Sequence, residues 1–175
     1  MEIEIQEMKS SRAEEYRAFL AVGLVRDERH FRISPADDAA APFPTQDKED
    51  SFTLAAFADG ALAGVVSFER DGKTREKLRH KGILFRMYVS GDFRGRGIGK
   101  RLIREVLSRA ERLGDIERVN LTVVSGNVGA KALYESFGFA TIGVEAEAIK
   151  WKGEYFAEEN MGLKLEPIRA VTRSQ

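Results

Sequence analysis

The stretch that decides the fold covers residues 82–100 and reads GILFRMYVSGDFRGRGIGK. Its first half, residues 83–89, is rich in aliphatic and aromatic side chains and predicts a buried strand. Three glycines follow within residues 94–100, and beyond them the apolar residues recur at helical spacing over residues 102–113. The stretch therefore predicts a strand, a glycine-rich turn and a helix, in that order.

The glycine-rich turn has the chemistry of an anion site. Glycine permits positive φ and close backbone approach, so several N–H groups can converge on one anion. The N-terminus of the following helix adds unpaired N–H groups and partial positive charge, while Arg96 and Lys100 add full charges. The turn therefore suits a phosphate or pyrophosphate, although three glycines could also serve only to make a tight connection.

The spacing of the turn separates it from two common phosphate-binding motifs. A Walker A loop needs a glycine where Arg94 stands and a hydroxyl residue where Arg101 stands. A dinucleotide fingerprint needs its third glycine where Lys100 or Leu102 stands. The turn therefore matches neither motif.

Patterns outside this stretch predict an α/β fold with a mixed, largely antiparallel sheet flanked by helices. The strand before the glycine turn, the helix behind it and a strand over 119–123 are typical of two parallel strands joined by a crossover. Residues 52–57 and 62–68 flank an Asp-Gly turn and predict a hairpin. The other predicted elements are strands over 2–8, 139–144 and 161–165, a helix after Ser10 or Ser11 and a short helix over 129–137.

Neither a repeat nor a domain boundary interrupts these patterns, so the prediction is a single domain over residues 1–175, with 167–175 as a frayed tail. Residues 34–50 hold three of the four prolines and predict an irregular excursion or a short helix with loops. This segment is either a lid over a site or a plain connector.

Composition excludes several classes of function. The chain contains no cysteine, which rules out a disulfide framework, a thiolate metal site and a cysteine nucleophile. With only His30 and His80, we expect no histidine-based zinc site and no metal cofactor. Lys+Arg and Asp+Glu both total 28, and this balance argues against nucleic acid as a partner. The basic residues between Arg70 and Lys81 are interpreted as an exposed loop between strands.

The sequence has no apolar run close to the roughly 18 residues of a membrane span. Its first residues, MEIEIQEMKS, lack the basic and apolar regions of a secretory signal. We therefore expect a cytoplasmic protein with no membrane partner.

Two motifs in the central part of the chain resemble those of the GNAT N-acetyltransferase superfamily. The first is R-x-x-G-x-G over residues 94–99, directly after the strand that ends in Met-Tyr-Val. The second is N-x-x-A-x-x-L-Y-x-x-x-G-F over residues 127–139. Their order and separation are similar to those of the superfamily, and together with the preceding strand they cover about a third of the chain.

The resemblance implies a GNAT-like fold and transfer of an acetyl group from acetyl-CoA to a primary amine by direct attack. It also implies that the strand before the turn is splayed from the next parallel strand, with the pantetheine arm lying in the gap. Backbone groups of the strand would pair with the arm, and the turn would hold the pyrophosphate. The implied cofactor-binding residues are Met87, Tyr88, Val89, Arg94, Gly95, Arg96, Gly97, Ile98, Gly99, Lys100, Asn127 and Tyr134.

Two of these residues have a structural alternative. Asn127 would reach the cofactor arm in the superfamily pattern, but it is equally suited to cap the short helix that follows. Tyr134 could be a core aromatic residue whose hydroxyl finds a partner. We favour Tyr134 as the catalytic acid, because a phenol stays protonated at neutral pH and can donate to the departing CoA thiolate.

The chain departs from the superfamily where a general base is concerned. Some members carry Glu or His on the strand that enters the glycine turn, whereas this strand carries Arg86. Glu69, at the end of the preceding strand, is the nearest carboxylate in sequence order, but a surface charge is the better interpretation. We therefore assign no base from the sequence.

The acceptor is expected to contact the regions around 28–32, 34–50 and 151–156, which carry no recognised motif. It could be a small-molecule amine or an amino group of a protein, and a homodimer stays open. The alternative function is a non-catalytic, CoA-responsive binding module. The presence of Tyr134 argues against that alternative, and the absence of an evident base favours it.

Overall fold

Seven strands form one sheet in the order β1-β2-β3-β4-β5-β7-β6 in the computed structural model, which describes residues 1–166. Neighbouring strands are antiparallel except for β4 and β5, which are parallel. The strands are β1 (Ile3–Glu7), β2 (Ser51–Ala58), β3 (Ala61–Arg70), β4 (Lys81–Val89), β5 (Arg118–Val124), β6 (Ala140–Trp151) and β7 (Glu154–Lys164). The α-helices are α1 (Ala13–Arg26), α2 (Pro35–Ala40), α3 (Ile98–Arg112) and α4 (Val128–Glu135).

Each face of the sheet has its own apolar cluster. On one face, the buried side of α3, which includes Leu102 and Val106, packs with residues of β2 to β5. On the other face, Tyr16, Leu20 and Leu24 of α1 pack against the sheet with Tyr88. Because helices cover both faces, the middle strands are buried on both sides, which explains the continuous apolar runs in β2 and β3.

The parallel pairing of β4 with β5 is short. It joins Lys81 to Arg118, Gly82 to Val119 and Ile83 to Asn120, and it stops there. Beyond Ile83, β5 pairs only with β7, while β4 continues to pair with β3. The two parallel strands therefore diverge and leave a gap at their carboxyl ends, as the resemblance implied.

A β-bulge in β4 lies beside this gap. Val65 of β3 pairs with Tyr88 and Ser67 pairs with Phe85, so Arg86 and Met87 together stand opposite one residue. Arg86 has a φ of 50°, in the left-handed region that the first residue of one common type of bulge adopts. The bulge turns the Arg86 side chain toward α2, where its guanidinium donates to the buried carboxylate of Asp38.

The predicted fold class is confirmed, but the predicted bounds of the last two strands are wrong. The sequence predicted strands over 139–144 and 161–165, whereas β6 and β7 form one long hairpin that turns at Lys152 and Gly153. β6 is an edge strand with nearly every residue exposed, so its alternation of Glu and Ala carries no apolar pattern. The expected tail at 167–175 lies outside the described residues.

We expect Asp38→Ala to lower the free energy of unfolding by about 3 kcal/mol, because it leaves the guanidinium of Arg86 in a largely buried position without its carboxylate. Glu15→Ala removes the exposed ion pair with Arg12 and should cost less than about 1 kcal/mol. Urea unfolding of both variants measures the difference. Equal losses would show that the Arg86–Asp38 pair does not hold α2 on the sheet.

Candidate active site

The gap between β4 and β5 opens into a cavity of about 840 Å³. The cavity combines three parts of the chain: the segment after α1, the end of β4 with the glycine-rich turn that follows it, and α4. Of the residues that the sequence analysis proposed, only Arg96 does not line it. Those that do are Met87, Tyr88, Val89, Arg94, Gly95, Gly97, Ile98, Gly99, Lys100, Asn127 and Tyr134.

The glycines of the turn have two different functions. Gly95 and Gly97 have φ values of 75° and 78°, so both occupy the left-handed region that side chains disfavour. Gly99 lies within α3, and a Cβ there would come within 2.8 Å of Leu133 in α4. The first two glycines therefore shape the turn, and the third lets α3 and α4 approach each other beside the cavity.

The guanidinium of Arg94 is held by hydrogen bonds within the protein. Its guanidinium donates two hydrogen bonds to Asp27, of 2.8 and 3.1 Å, and its Nε donates to the carbonyl oxygen of Val89 at 3.0 Å. Asp27 follows α1, so Arg94 ties the glycine turn to the end of that helix. Burial alone would raise the pKa of Asp27, but the hydrogen bonds and charge of Arg94 outweigh it and lower the pKa.

The two remaining cations of the turn are placed differently. Lys100 lines the cavity near the first turn of α3, where it adds positive charge. Arg96 points elsewhere: its guanidinium lies 5.8 Å from the centre of the Phe93 ring and contacts the sulfur of Met1. Of the two, Lys100 is therefore the one placed to meet an anion in the cavity.

Asn127 caps α4 and still borders the cavity. Its side-chain oxygen accepts a hydrogen bond from the backbone N–H of Ala130 at 3.2 Å, which is the capping role expected of Asn before a helix. The side-chain amide nitrogen is not used by this cap. The two interpretations of Asn127 are therefore compatible, because one end of the amide can hold the helix while the other meets a ligand.

Tyr134 lies on the buried side of α4 at the wall of the cavity. Its side chain is only 6% exposed, and its ring packs edge-on against Phe139 with centroids 5.9 Å apart. Burial raises the pKa of the Tyr134 phenol above its ordinary value. The phenol therefore stays protonated at neutral pH and is available as a proton donor.

Ion pairs join the segment 28–32 to the β6–β7 hairpin. This segment begins with a 3₁₀ turn, Glu28–His30, that packs against β5 on the face covered by α1. The pairs bring together two of the three regions that the sequence analysis expected to contact the acceptor. They are Glu28 with Lys152 at 2.8 Å, Arg29 with Glu154 at 2.6 Å and Arg32 with Glu158 at 2.6 Å, and Glu28 also accepts from the indole N–H of Trp151.

The cavity residues that the sequence analysis did not propose as site residues include Asp27, His30 and Phe31. They follow α1 in a segment with no periodicity, and only His30 and Phe31 fall within the residues 28–32 that were expected to contact the acceptor. Glu69 does not line the cavity and pairs with Lys73 at 2.6 Å, in keeping with its interpretation as a surface charge. Over residues 1–166 no group of three or more candidate ligands could hold a metal ion.

Comparison with known proteins places this arrangement in a family. The sequence model of the Acetyltransferase (GNAT) family matches residues 9–139. A GNAT-family acetyltransferase from Streptococcus pneumoniae superposes with a TM-score of 0.79 at 26% identity, over 94% of this chain and 100% of that one. An N-acetyltransferase from Staphylococcus aureus has the same TM-score at 15% identity, over 95% and 100% of the two chains, which shows the shared fold alone.

A shorter similarity is found to a Bacillus subtilis subsp. natto protein named "Probable spermine N(1)-acetyltransferase". The two are 29% identical over 56 residues, which is 32% of this chain and 37% of that relative. The match therefore spans little more than a third of the relative's length.

The chain belongs to the GNAT acetyltransferase family. The predictions of superfamily, fold class and N-acetyltransferase class are thereby confirmed. Members of this family generally use acetyl-CoA as a substrate. No helix within the described 166 residues is long and apolar enough to cross a membrane.

We expect Gly97→Ala to weaken acetyl-CoA binding by about tenfold, or about 1.4 kcal/mol, because the added methyl group lies in the turn that borders the cavity. Gly114→Ala is the matched control. Both glycines flank α3, both have φ of 78°, and a Cβ at either meets no atom within 4 Å. Each variant should therefore lose the same stability, roughly 1–2 kcal/mol.

Calorimetric titration with acetyl-CoA and thermal unfolding of both variants make the measurement. If Gly114→Ala loses as much affinity as Gly97→Ala, the loss reflects strain alone and the turn does not contact the ligand.

Proposed function

We propose that this chain transfers an acetyl group from acetyl-CoA to a primary amine, with the cavity at the β4–β5 gap as its active site. The observation that carries the proposal is that one cavity joins three features: the open edge of β4, the left-handed glycine turn and the buried phenol of Tyr134. The acceptor is a small-molecule amine or an amino group of a protein, and the proposed compartment is the cytoplasm.

The residues of the cavity fit the parts of acetyl-CoA. Backbone groups of β4 beyond Ile83 have no partner strand on the β5 side, so they can pair with the amides of the pantetheine arm. The N–H groups from Gly95 to Lys100 and the start of α3 suit the pyrophosphate, with Lys100 adding charge. These contacts hold the thioester near the bulge of β4.

A side chain of the protein then protonates the leaving group, which is the CoA thiolate. The amine nitrogen attacks the thioester carbonyl carbon, the C–S bond breaks, and Tyr134 supplies the proton that the CoA sulfur receives. No covalent intermediate with a cysteine forms, since the chain has none.

The charges of the segment 28–32 and the β6–β7 hairpin do not favour an acceptor that carries several positive charges. Glu28, Glu154 and Glu158 are each paired with a cation of the same region. A polyamine needs carboxylates that are not already neutralised. Spermine therefore enters the test only as one amine among several, on account of the relative's name.

Acetyl-CoA should raise the melting temperature of the protein by mass action, and thiol release should accelerate when a responsive amine is added. The assay covers spermine, alkylamines, amino acids, and peptides with free N-termini or lysines, with tertiary amines as controls that cannot be acetylated stably. An unchanged melting curve at saturating acetyl-CoA would overturn the proposal. Binding without turnover for every amine would favour the non-catalytic CoA-responsive module instead.

Tyr134→Phe should lower kcat by about 10²–10⁴-fold, because it removes the proton donor and keeps the ring. The phenyl ring should still pack against Phe139, and the variant should bind acetyl-CoA with nearly the same affinity as the unaltered chain. Steady-state turnover and calorimetry measure the two quantities separately. A variant that keeps its kcat while chemistry limits the rate shows that another donor protonates the thiolate, and a collapse of affinity assigns the hydroxyl to binding.

A further inference from the structure

The proposed reaction leaves one proton without a carrier. An aliphatic ammonium has a pKa close to that of a lysine side chain, about 10.4, so it must lose a proton before its nitrogen can attack. The strand that enters the glycine turn carries Arg86 where a base would be expected, and that guanidinium is already bound to Asp38. The base must therefore come from another part of the cavity wall.

Six side chains that line the cavity are titratable or charged, and five of them are unsuited to accept this proton. Arg94 and Lys100 are cations, and burial raises the pKa of Tyr134. The pKa of Tyr88 is raised by burial and by Asp27, to which its hydroxyl donates. Asp27 is held by two hydrogen bonds from Arg94, which lower its pKa and make it a weak base.

The sixth side chain is the imidazole of His30. It is exposed, it lines the cavity, and within residues 1–166 no hydrogen bond or ion pair engages its ring. Its segment, Glu28–His30, packs against β5 on the face opposite α3 and α4. His30 therefore approaches the gap from the opposite side to Tyr134, the side on which the acceptor regions meet.

We propose that His30 is the catalytic base that removes the proton from the acceptor ammonium, directly or through one water molecule. The proposal rests on the acetyltransferase function proposed above. A neutral imidazole has one unprotonated ring nitrogen, which can accept a proton from an ammonium held beside it.

The proton balance of the reaction closes with His30 and Tyr134 as the two carriers. The ammonium gives one proton to His30, the free amine forms the C–N bond, and the C–S bond breaks. Tyr134 gives its proton to the CoA sulfur and regains one from the nitrogen, which sheds its second proton as it becomes an amide. His30 releases its proton to solvent, so the products are the amide, CoA thiol and one proton.

The charged groups around His30 are neutralised in pairs. On its own segment, Asp27 is paired with Arg94 of the glycine turn. From the β6–β7 hairpin, Lys152, Glu154 and Glu158 pair with Glu28, Arg29 and Arg32, and from β4 the hydroxyl of Tyr88 faces Asp27. The ring is thus the one side chain in this set that no hydrogen bond or ion pair engages within residues 1–166.

The test is the pH dependence of kcat/KM for an alkylamine that the unaltered chain acetylates. With His30 as base, kcat/KM of the unaltered chain should reach a plateau at a pH well below the pKa of the amine. In His30→Gln it should fall by about 10²-fold at pH 7 and rise tenfold per pH unit up to the pKa of the amine. The difference between the two proteins should therefore shrink as the pH increases.

His80→Gln is the matched control, because His80 is the chain's other histidine and does not line the cavity. It should keep the profile of the unaltered chain. All three proteins should have the same melting temperature and the same acetyl-CoA affinity, which shows that neither substitution disturbs the fold.

A second variant, His30→Ala, should regain activity when imidazole is added to the assay. A rate lowered equally at every pH, or a profile that still levels off in His30→Gln, overturns the assignment, and so does a failure of imidazole to restore His30→Ala. If the unaltered chain acetylates no amine, the proposed function fails before His30 is tested.

Discussion

The divergence of β4 from β5 is the constraint on which the rest of this structure depends. Parallel strands share hydrogen bonds along their length, yet here the pairing ends at Ile83 and Asn120. Past that point the backbone of β4 has a partner strand on one side only. Unpaired backbone groups in the middle of a sheet are costly unless a ligand or water satisfies them. The fold therefore contains an open position for an extended molecule at its centre.

The bulge at Arg86 adjusts β4 to this position. Leu84 belongs to the apolar cluster under α3, whereas Tyr88, four residues later, belongs to the cluster under α1. In a regular strand, residues four apart would face the same side. The bulge thus sends Met87 and Val89 to the face that α3 and α4 cover, and it leaves Tyr88 to pack between Phe19 and Phe31.

Most of the fold was predictable because local patterns specify it. The strand, turn and helix around residues 83–113 were found where the apolar spacing placed them, and so was the hairpin at Asp59 and Gly60. The β6–β7 hairpin was not, since an exposed edge strand needs no apolar face and its Glu and Ala residues give no period. A strand of this kind is specified by its partner rather than by its own side chains.

The candidate site was predictable to the extent that backbone conformation determines it. A turn that needs positive φ can be recognised from its glycines, and Gly95 and Gly97 make the turn recognisable here. Arg94 contacts Asp27 across 67 positions of sequence, and Arg86 contacts Asp38 across 48. No local sequence pattern predicts either contact. The same holds for His30, which lines the cavity together with residues of β4, the glycine turn and α4 that are distant from it in sequence.

The short segment after α1 links the glycine turn to the β6–β7 hairpin. Asp27 holds the glycine turn through Arg94, while Glu28, Arg29 and Arg32 hold the β6–β7 hairpin. A shift of this segment would therefore move the glycine turn and the hairpin together. Because it also carries His30 and Phe31 to the cavity wall, its position affects the shape of the cavity. Ion pairs at the surface contribute little stability individually. Their geometric effect is larger, since four of them connect one stretch of six residues to two separate parts of the fold.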